Sequence, residues 1–197
     1  MRQETGSNPN SADKKVSIQV KLGGRSFSVD NISLKVGVEQ VEFIIDTPRV
    51  TLAPREEVSA ENAAQILQLA GKPCRHNEQC ILSDPQSEII AIIAIDSNAL
   101  ATIKGRWGSR ALFTSPLLDM RHCEESCLTI DASDKVCYLR LFKDGLQRAE
   151  AYEIGCIEDV LYYTREWLGN ADTPIYIKGE RTIAKLLNKY YKQVICE

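Results

Sequence analysis

The sequence predicts an α/β protein of two lobes, each with a mixed β-sheet and crossover helices. Three observations lead to this fold class. Residues 126–193 read in order as three strands, a helix, a strand and a helix. The first half opens with strand segments separated by glycines and continues with helical segments. The length of 197 residues and the apolar fraction of 44% suit two small packed lobes.

Three antiparallel strands are expected at the start of the second half. Residues 127–131 alternate apolar with polar side chains, and residues 136–142 are rich in β-forming residues and also alternate. Residues 143–145 have the composition of a hairpin turn, because their glycine tolerates a positive φ angle. Residues 146–154 then return as the third strand.

A crossover helix and a parallel strand follow. The helix begins near Cys156, has acidic residues in its first turn and an apolar face at helical spacing, and stops at Gly169. Residues 174–178 form a short strand, parallel to the first if the helix is a crossover. Gly179 turns into the last helix. This order of elements is the unit of the ribonuclease H-like and actin-like folds.

The first half is predicted to have its own strands and helices. The strands cover residues 16–22, 25–29, 40–45, 49–52, 80–82, 88–95 and 110–114. One helix is capped by Ser59 and ends at Gly71, and another is capped by Ser97 and runs to about Trp107. Both halves start with a hairpin and place helices later, which predicts a distant internal duplication. The predicted division of the chain is a flexible tail (1–15), a first actin-like lobe (16–118) and a second ribonuclease H-like lobe (119–197).

The composition argues against several classes of function. The net charge of −3 gives no field that would attract nucleic acid, so no nucleic-acid partner is expected. No apolar run is long enough to span a membrane, and the polar start of the chain is not a secretory signal. The odd number of cysteines, seven, favours reduced thiols and a cytoplasmic location over a disulfide framework.

Several short runs, in the same order along the chain, carry a resemblance to a bacterial family. The most specific is Asp46–Pro54, which fits a D-T-P-R-x-T-L-x-P pattern. Weaker matches lie at residues 16–18, 115–118, 158–163 and 177–179. From residue 16 onward the chain resembles domain of unknown function family 3822. The resemblance implies an actin-like ATPase (ribonuclease H-like) fold of two lobes and supplies no established activity. Residues 33–40 are too few for a helix that fuller members of the family carry in this region, so an abridged first lobe is expected.

Nucleotide binding is the first chemistry to weigh, because actin-like folds often clamp ATP between lobes. Such a site needs glycine-containing turns for the phosphates and an acidic residue near the metal. The turns at the corresponding positions supply Gly23, Gly24, Asp131, Ser133 and Gly179. No turn combines an aspartate with a glycine, and a glutamate follows the last glycine, where it would repel phosphate. The expectation is therefore no cofactor, and the alternative is ATP with Mg²⁺ held at these five residues.

Other catalytic chemistries find less support in the sequence. A two-metal nuclease needs several converging carboxylates, and only Asp131 and Glu158 are placed to approach each other. Two groups of soft ligands lack regular zinc spacing: Cys74, His76 and Cys80 in one, and His122, Cys123 and Cys127 in the other. A cysteine nucleophile would need a facing base, which adjacency in sequence does not supply. The sequence predicts no catalytic residue and no bound metal.

The last two helices carry more aromatic side chains than one core-facing stripe needs. These are Tyr162, Tyr163, Trp167, Tyr190 and Tyr191. Core packing is the usual fate of such rings, and a surface for a protein partner is the alternative. The preferred interpretation is a non-catalytic actin-like scaffold that binds an unidentified protein. The alternative is an ATP-binding actin-like switch with weak or no hydrolysis.

Overall fold

The computed structural model describes residues 15–21, 40–84, 86–122 and 124–197. The strands are β1 (Lys15–Lys21), β2 (Gln40–Asp46), β3 (Val50–Pro54), β4 (Glu78–Leu82), β5 (Ile89–Asp96), β6 (Ala111–Thr114), β7 (Cys127–Ala132), β8 (Val136–Phe142), β9 (Leu146–Glu153), β10 (Ile175–Lys178) and β11 (Val194–Cys196). The α-helices are α1 (Ala63–Leu69), α2 (Ser97–Trp107), α3 (Ile157–Leu168) and α4 (Arg181–Leu187). Short 3-10 turns lie at Arg55–Glu57, Gly108–Arg110 and Pro116–Leu118.

The second half forms one five-stranded mixed sheet, in the order β11-β10-β7-β8-β9. The strands β7, β8 and β9 are antiparallel neighbours, and β10 lies parallel to β7 with Lys178 paired to Asp131. Both features confirm the order read from the sequence, because a helix between two parallel strands must cross over the sheet. The short strand β11, parallel to β10, was not predicted.

The first half contributes two smaller sheets. One is parallel, in the order β1-β2-β6, and the other is antiparallel, in the order β3-β5-β4. The predicted hairpin of residues 80–82 and 88–95 is confirmed as β4 and β5. Of the predicted hairpin, residues 16–21 belong to β1, whereas residue 22 and residues 25–29 lie outside the described residues, as does most of the predicted tail. Lys15, assigned to that tail, begins β1 instead.

Helix starts differ from the prediction by a few residues. The side chain that caps α2 is Asp96 rather than Ser97, because its carboxylate accepts the backbone N–H groups of Asn98 and Ala99. Ser59 sits one turn before α1 and exchanges hydrogen bonds with Asn62, the residue at the N-cap position. Both corrections arise because neighbouring Asp, Ser and Asn residues compete for the same cap.

The five-stranded sheet is packed on both faces. Cys137 and Leu139 of β8 point into a core shared with α3 and α4. Val136 and Tyr138, on the opposite face of β8, join a larger core formed mainly by the first half. The alternation predicted for β8 is therefore confirmed, and the same alternation ties the two halves of the chain together.

Two polar contacts reinforce that junction. Tyr138 is 1% exposed. Its hydroxyl accepts a hydrogen bond from the backbone N–H of Thr47 (2.8 Å) and donates one to Asp46 Oδ1 (2.9 Å). The Lys72 ammonium donates to the carbonyl oxygens of Val50 and Ala151, and it forms an ion pair with Glu150. Each contact links residues far apart in sequence, since each joins the first half to β8 or β9.

The described ranges contain no helix that combines the length and the apolar character required to cross a membrane.

Candidate functional site

A cleft of about 640 Å³ opens beside the carboxyl ends of β7 and β10. One wall carries Ala132 and Gly179, which follow or end those strands, and the other carries Ile44 of β2 and Thr114 of β6. In open α/β sheets, ligands bind outside the carboxyl ends of parallel strands where the strand order changes direction. The cleft lies outside the carboxyl ends of β7 and β10, which are parallel neighbours.

Three of the five residues predicted for a nucleotide meet in this cleft. Asp131, Ser133 and Gly179 all line it, although they come from two separate turns of the chain. Gly23 and Gly24 lie outside the described residues. The structure therefore brings together the second-half part of the predicted site.

The cleft is rich in carboxylates. The acidic residues on its wall are Glu42, Asp119, Asp131, Asp134 and Glu180. Among the described residues of the wall, Lys178 is the basic one, and its Nζ atom lies 3.5 Å from Asp131 Oδ2. Within this described part of the cleft, acidic side chains therefore outnumber basic ones.

Burial raises the pKa of the Asp131 carboxyl, and the attraction of Lys178 and Arg140 only partly opposes this rise. Functional sites frequently contain a carboxyl group whose surroundings disfavour its ionised form. Asp131 is for this reason the most distinctive titratable group on the cleft wall.

Gly179 has a packing reason to be glycine. Its φ angle is +144°, and a Cβ atom placed on it would lie 2.6 Å from the carbonyl oxygen of Ala132. The turns that follow β7 and β10 thus touch each other. Close contact between these two turns accounts for the glycine without any phosphate.

Arg140 is a residue of this region that the sequence reasoning missed. It is 2% exposed, its Nε donates to Thr129 Oγ1 (2.8 Å), and its Nη1 donates to the carbonyl of Pro116. It holds the 3-10 turn Pro116–Leu118, next to the cleft, onto the five-stranded sheet. The available signal was a single arginine within the otherwise apolar run of β8, which has both faces buried.

The five predicted partner aromatics fall into two groups. Tyr191 is 8% exposed and lies in the core, and Tyr163 and Trp167 pack against that core and contact Tyr152. Tyr162 and Tyr190 are 58% and 52% exposed. Tyr163 and Trp167 are half-buried, so Tyr191 is the ring that the structure removes from the predicted partner surface, and Tyr162 and Tyr190 are the most exposed of the five.

The exposed rings lie next to one another through Arg165. Tyr162 and Arg165 are three residues apart on α3 and therefore share a helix face. The Arg165 guanidinium lies over the Tyr190 ring, 4.4 Å from its centroid. We call Tyr162, Arg165 and Tyr190 the tyrosine surface.

The predicted carboxylate partner Glu158 and the first group of soft ligands do not add to the cleft. Glu158 is exposed on α3 and is absent from the lining of the cleft that holds Asp131. His76 is exposed, while Cys74 and Cys80 are half-buried free cysteines. Burial raises the pKa of the Cys80 thiol to about 12, which makes it a poor nucleophile at neutral pH.

Comparisons with known proteins show the fold. No family model and no curated protein matches the chain. A Bacteroides thetaiotaomicron protein described as having an actin-like ATPase fold and unknown function superposes with a TM-score of 0.67 at 19% identity, covering 80% of this chain and 68% of that chain. This likeness shows an actin-like ATPase fold and, at that identity, nothing about activity.

Two further structures are more distant. One is the cytoplasmic domain of EpsL, an inner membrane component of the type II secretion system of Vibrio cholerae, with a TM-score of 0.43, 9% identity, and coverage of 83% of this chain and 81% of that chain. The other is an AlfA filament bound to AMPPNP, with a TM-score of 0.38, 15% identity, and coverage of 79% and 52%. Both TM-scores are below 0.5, so neither likeness carries a conclusion about this chain.

Proposed function

We propose that this chain is a non-catalytic actin-like scaffold of the cytoplasm, which acts by binding another protein and needs no nucleotide. Its two lobes are residues 16–118 and residues 119–197, the second being the ribonuclease H-like one. The observation that carries the proposal is the excess of carboxylates among the described residues of the cleft where an actin-like protein would hold ATP.

The electrostatics of the cleft support this proposal. ATP carries several negative charges on its phosphates, and the field of the acidic wall opposes them. The guanidinium groups of Arg140 and Arg121 offset part of this field, since Arg140 attracts the Asp131 carboxylate and Arg121 is ion-paired with Asp119. The five acidic residues of the described wall still exceed these two arginines and Lys178 in number. The same field argues against nucleic acid as the partner.

The tyrosine surface supports binding of a protein. Aromatic and arginine side chains are enriched at the energetic centres of protein interfaces. Tyr162 and Tyr190 are exposed although they are large rings, and Arg165 holds the second of them in place. Pre-ordered rings lose little conformational freedom when a partner binds them.

A capture experiment tests the proposal. The tagged chain is used to capture partners from a lysate of its native cells, beside a Tyr162→Ala/Tyr190→Ala double variant. We expect the double variant to lose a partner that the unchanged chain retains, with the same melting temperature. Leu69→Ala is the matched control, because Leu69 is also an exposed apolar residue (80%) but lies on α1. Equal capture by all three proteins would refute the role of this surface.

The alternative is an ATP-binding switch with weak or no hydrolysis. It is favoured by the meeting of Asp131, Ser133 and Gly179 in one cleft and by the raised pKa of Asp131. Mg²⁺ would offset part of the acidic charge, and the carboxylates would be its ligands. Calorimetry with Mg²⁺ and ATP decides between the two proposals. Micromolar binding that is lost in Asp131→Ala would establish the switch, and no binding at millimolar ATP would support the scaffold.

A further inference from the structure

A second cluster of chemically reactive groups lies away from the cleft, at the start of the five-stranded sheet. His122, Glu125 and Cys127 place one imidazole nitrogen, one carboxylate oxygen and one thiol within 4.8 Å of one another. Nδ1 of His122 is 2.9 Å from Glu125 Oε1. Cys127 is the first residue of β7, so its position is fixed by the sheet.

The imidazole of this cluster is held from two further sides. Nε2 of His122 lies 2.7 Å from Glu197 Oε1. The ring stacks on Tyr176 of β10, with the centroids 4.2 Å apart and an angle of 19° between the planes. Histidine ligands of metals characteristically use their second nitrogen to bind a carboxylate, which fixes the ring orientation and makes the first nitrogen a better ligand.

We propose that His122, Glu125 and Cys127 form a zinc site, with Glu197 as a positioning residue for the histidine. Nitrogen, sulfur and carboxylate oxygen are the ligand types of zinc, and a thiolate disfavours Mg²⁺ and Ca²⁺. The fourth position of the tetrahedron is filled by water or another group. This proposal revises the sequence-based expectation of no metal, and it is independent of the proposed scaffold function.

Closing this site requires only small movements. Zinc bonds of about 2.0–2.3 Å in a tetrahedron place ligand atoms roughly 3.3–3.8 Å apart. Since no pair of ligand atoms is farther apart than 4.8 Å, the farthest pair must approach by at most about 1.5 Å. The hydrogen-bonded atoms of His122 and Glu125, now 2.9 Å apart, must separate by about half an ångström. Glu125 is exposed, so its side chain is free to adjust, whereas the buried Cys127 stays in place.

The metal would fasten the segment before β7, which carries His122 and Glu125, to Cys127 at the start of β7. Glu197, which follows β11, would be tied to the site through the histidine. A search for regular Cys and His spacing does not reveal this set, because its third ligand is a glutamate, Glu125.

Zinc uptake by the full chain tests the proposal. The reduced protein is stripped with a chelator and titrated with Zn²⁺ against a chromophoric competitor. We expect one zinc per chain and a rise in melting temperature, because the ion binds only the folded protein. Glu125→Gln replaces an exposed ligand without disturbing the core and should weaken zinc binding at least tenfold. Glu197→Gln, which acts through the histidine, should weaken it by about 10–100-fold.

The matched control and a spectroscopic reading complete the test. His76→Ala removes the other histidine of the chain and should leave zinc affinity unchanged, whereas His122→Ala should abolish binding. Co²⁺ in place of zinc should give a thiolate-to-cobalt charge-transfer band that disappears in Cys127→Ser and persists in Cys80→Ser. No uptake at micromolar zinc, or uptake unaffected by both Glu125→Gln and His122→Ala, would overturn the site.

Discussion

Replacing Tyr138 by Phe should destabilise the protein by about 3 kcal/mol, although it removes a single oxygen atom. Without the hydroxyl, the buried N–H of Thr47 has lost its acceptor, which costs about 1–3 kcal/mol. The Asp46 carboxylate, also buried, loses a donor worth about 1.5–3 kcal/mol. Side-chain volume hardly changes, so no cavity adds to the cost, and the two losses are not fully additive because they share one hydroxyl.

Equilibrium unfolding in guanidinium chloride measures this loss. Tyr162→Phe is the control, because that ring is exposed and its change should stay within about 0.5 kcal/mol. A loss below about 1 kcal/mol in Tyr138→Phe would refute the reasoning. Fluorescence adds a second reading: Trp107 lies in the larger core and Trp167 beside the other. Within each single-tryptophan variant, fluorescence and circular dichroism should report the same unfolding midpoint, because the two cores meet across β8.

Three further changes follow from the geometry. Asp131→Asn should raise the melting temperature at pH 7. The pKa of this carboxyl is raised in the folded protein despite the attraction of Lys178, so its ionisation at rising pH favours the unfolded state, and asparagine removes that loss. The gain should vanish below about pH 4, and a less stable variant at pH 7 would contradict the assignment. Gly179→Ala should cost more stability than Gly145→Ala in the same assay, because both glycines have positive φ but only the first faces a backbone atom at 2.6 Å; equal losses would count against the contact. Lys72→Met should cost about 2 kcal/mol in denaturant unfolding by leaving two carbonyl groups unpaired, and an unchanged midpoint would refute it.

The sequence predicted the second half well because its elements are defined locally. Alternation in β8 placed Cys137 and Leu139 on one face, and the helical stripe and acidic first turn defined α3. β11 escaped prediction because three residues carry too little pattern, and the strand exists only through its pairing with β10.

The candidate site was less accessible from sequence because it depends on meetings between distant segments. Asp131, Ser133 and Gly179 were identified from their turns, whereas Glu42 reaches the same cleft from β2 in the other half. Helical spacing also could not show which aromatic side chains are exposed and which lie in the core. Tyr163 is half-buried because it stacks on Tyr152 of β9, and no pattern within α3 records that contact.

The core shared by the two halves keeps the width of the cleft nearly fixed. Rotating one half away from the other would pull Tyr138 from Asp46 and Thr47 and expose Val136 to water. At about 3 kcal/mol for the hydroxyl contacts alone, an opened form would make up on the order of 1% of molecules or less. A ligand could enlarge that fraction only by binding the opened form more tightly than the closed one. This packing therefore favours a cleft that selects ligands by size and charge while it stays open, rather than one that closes around a ligand.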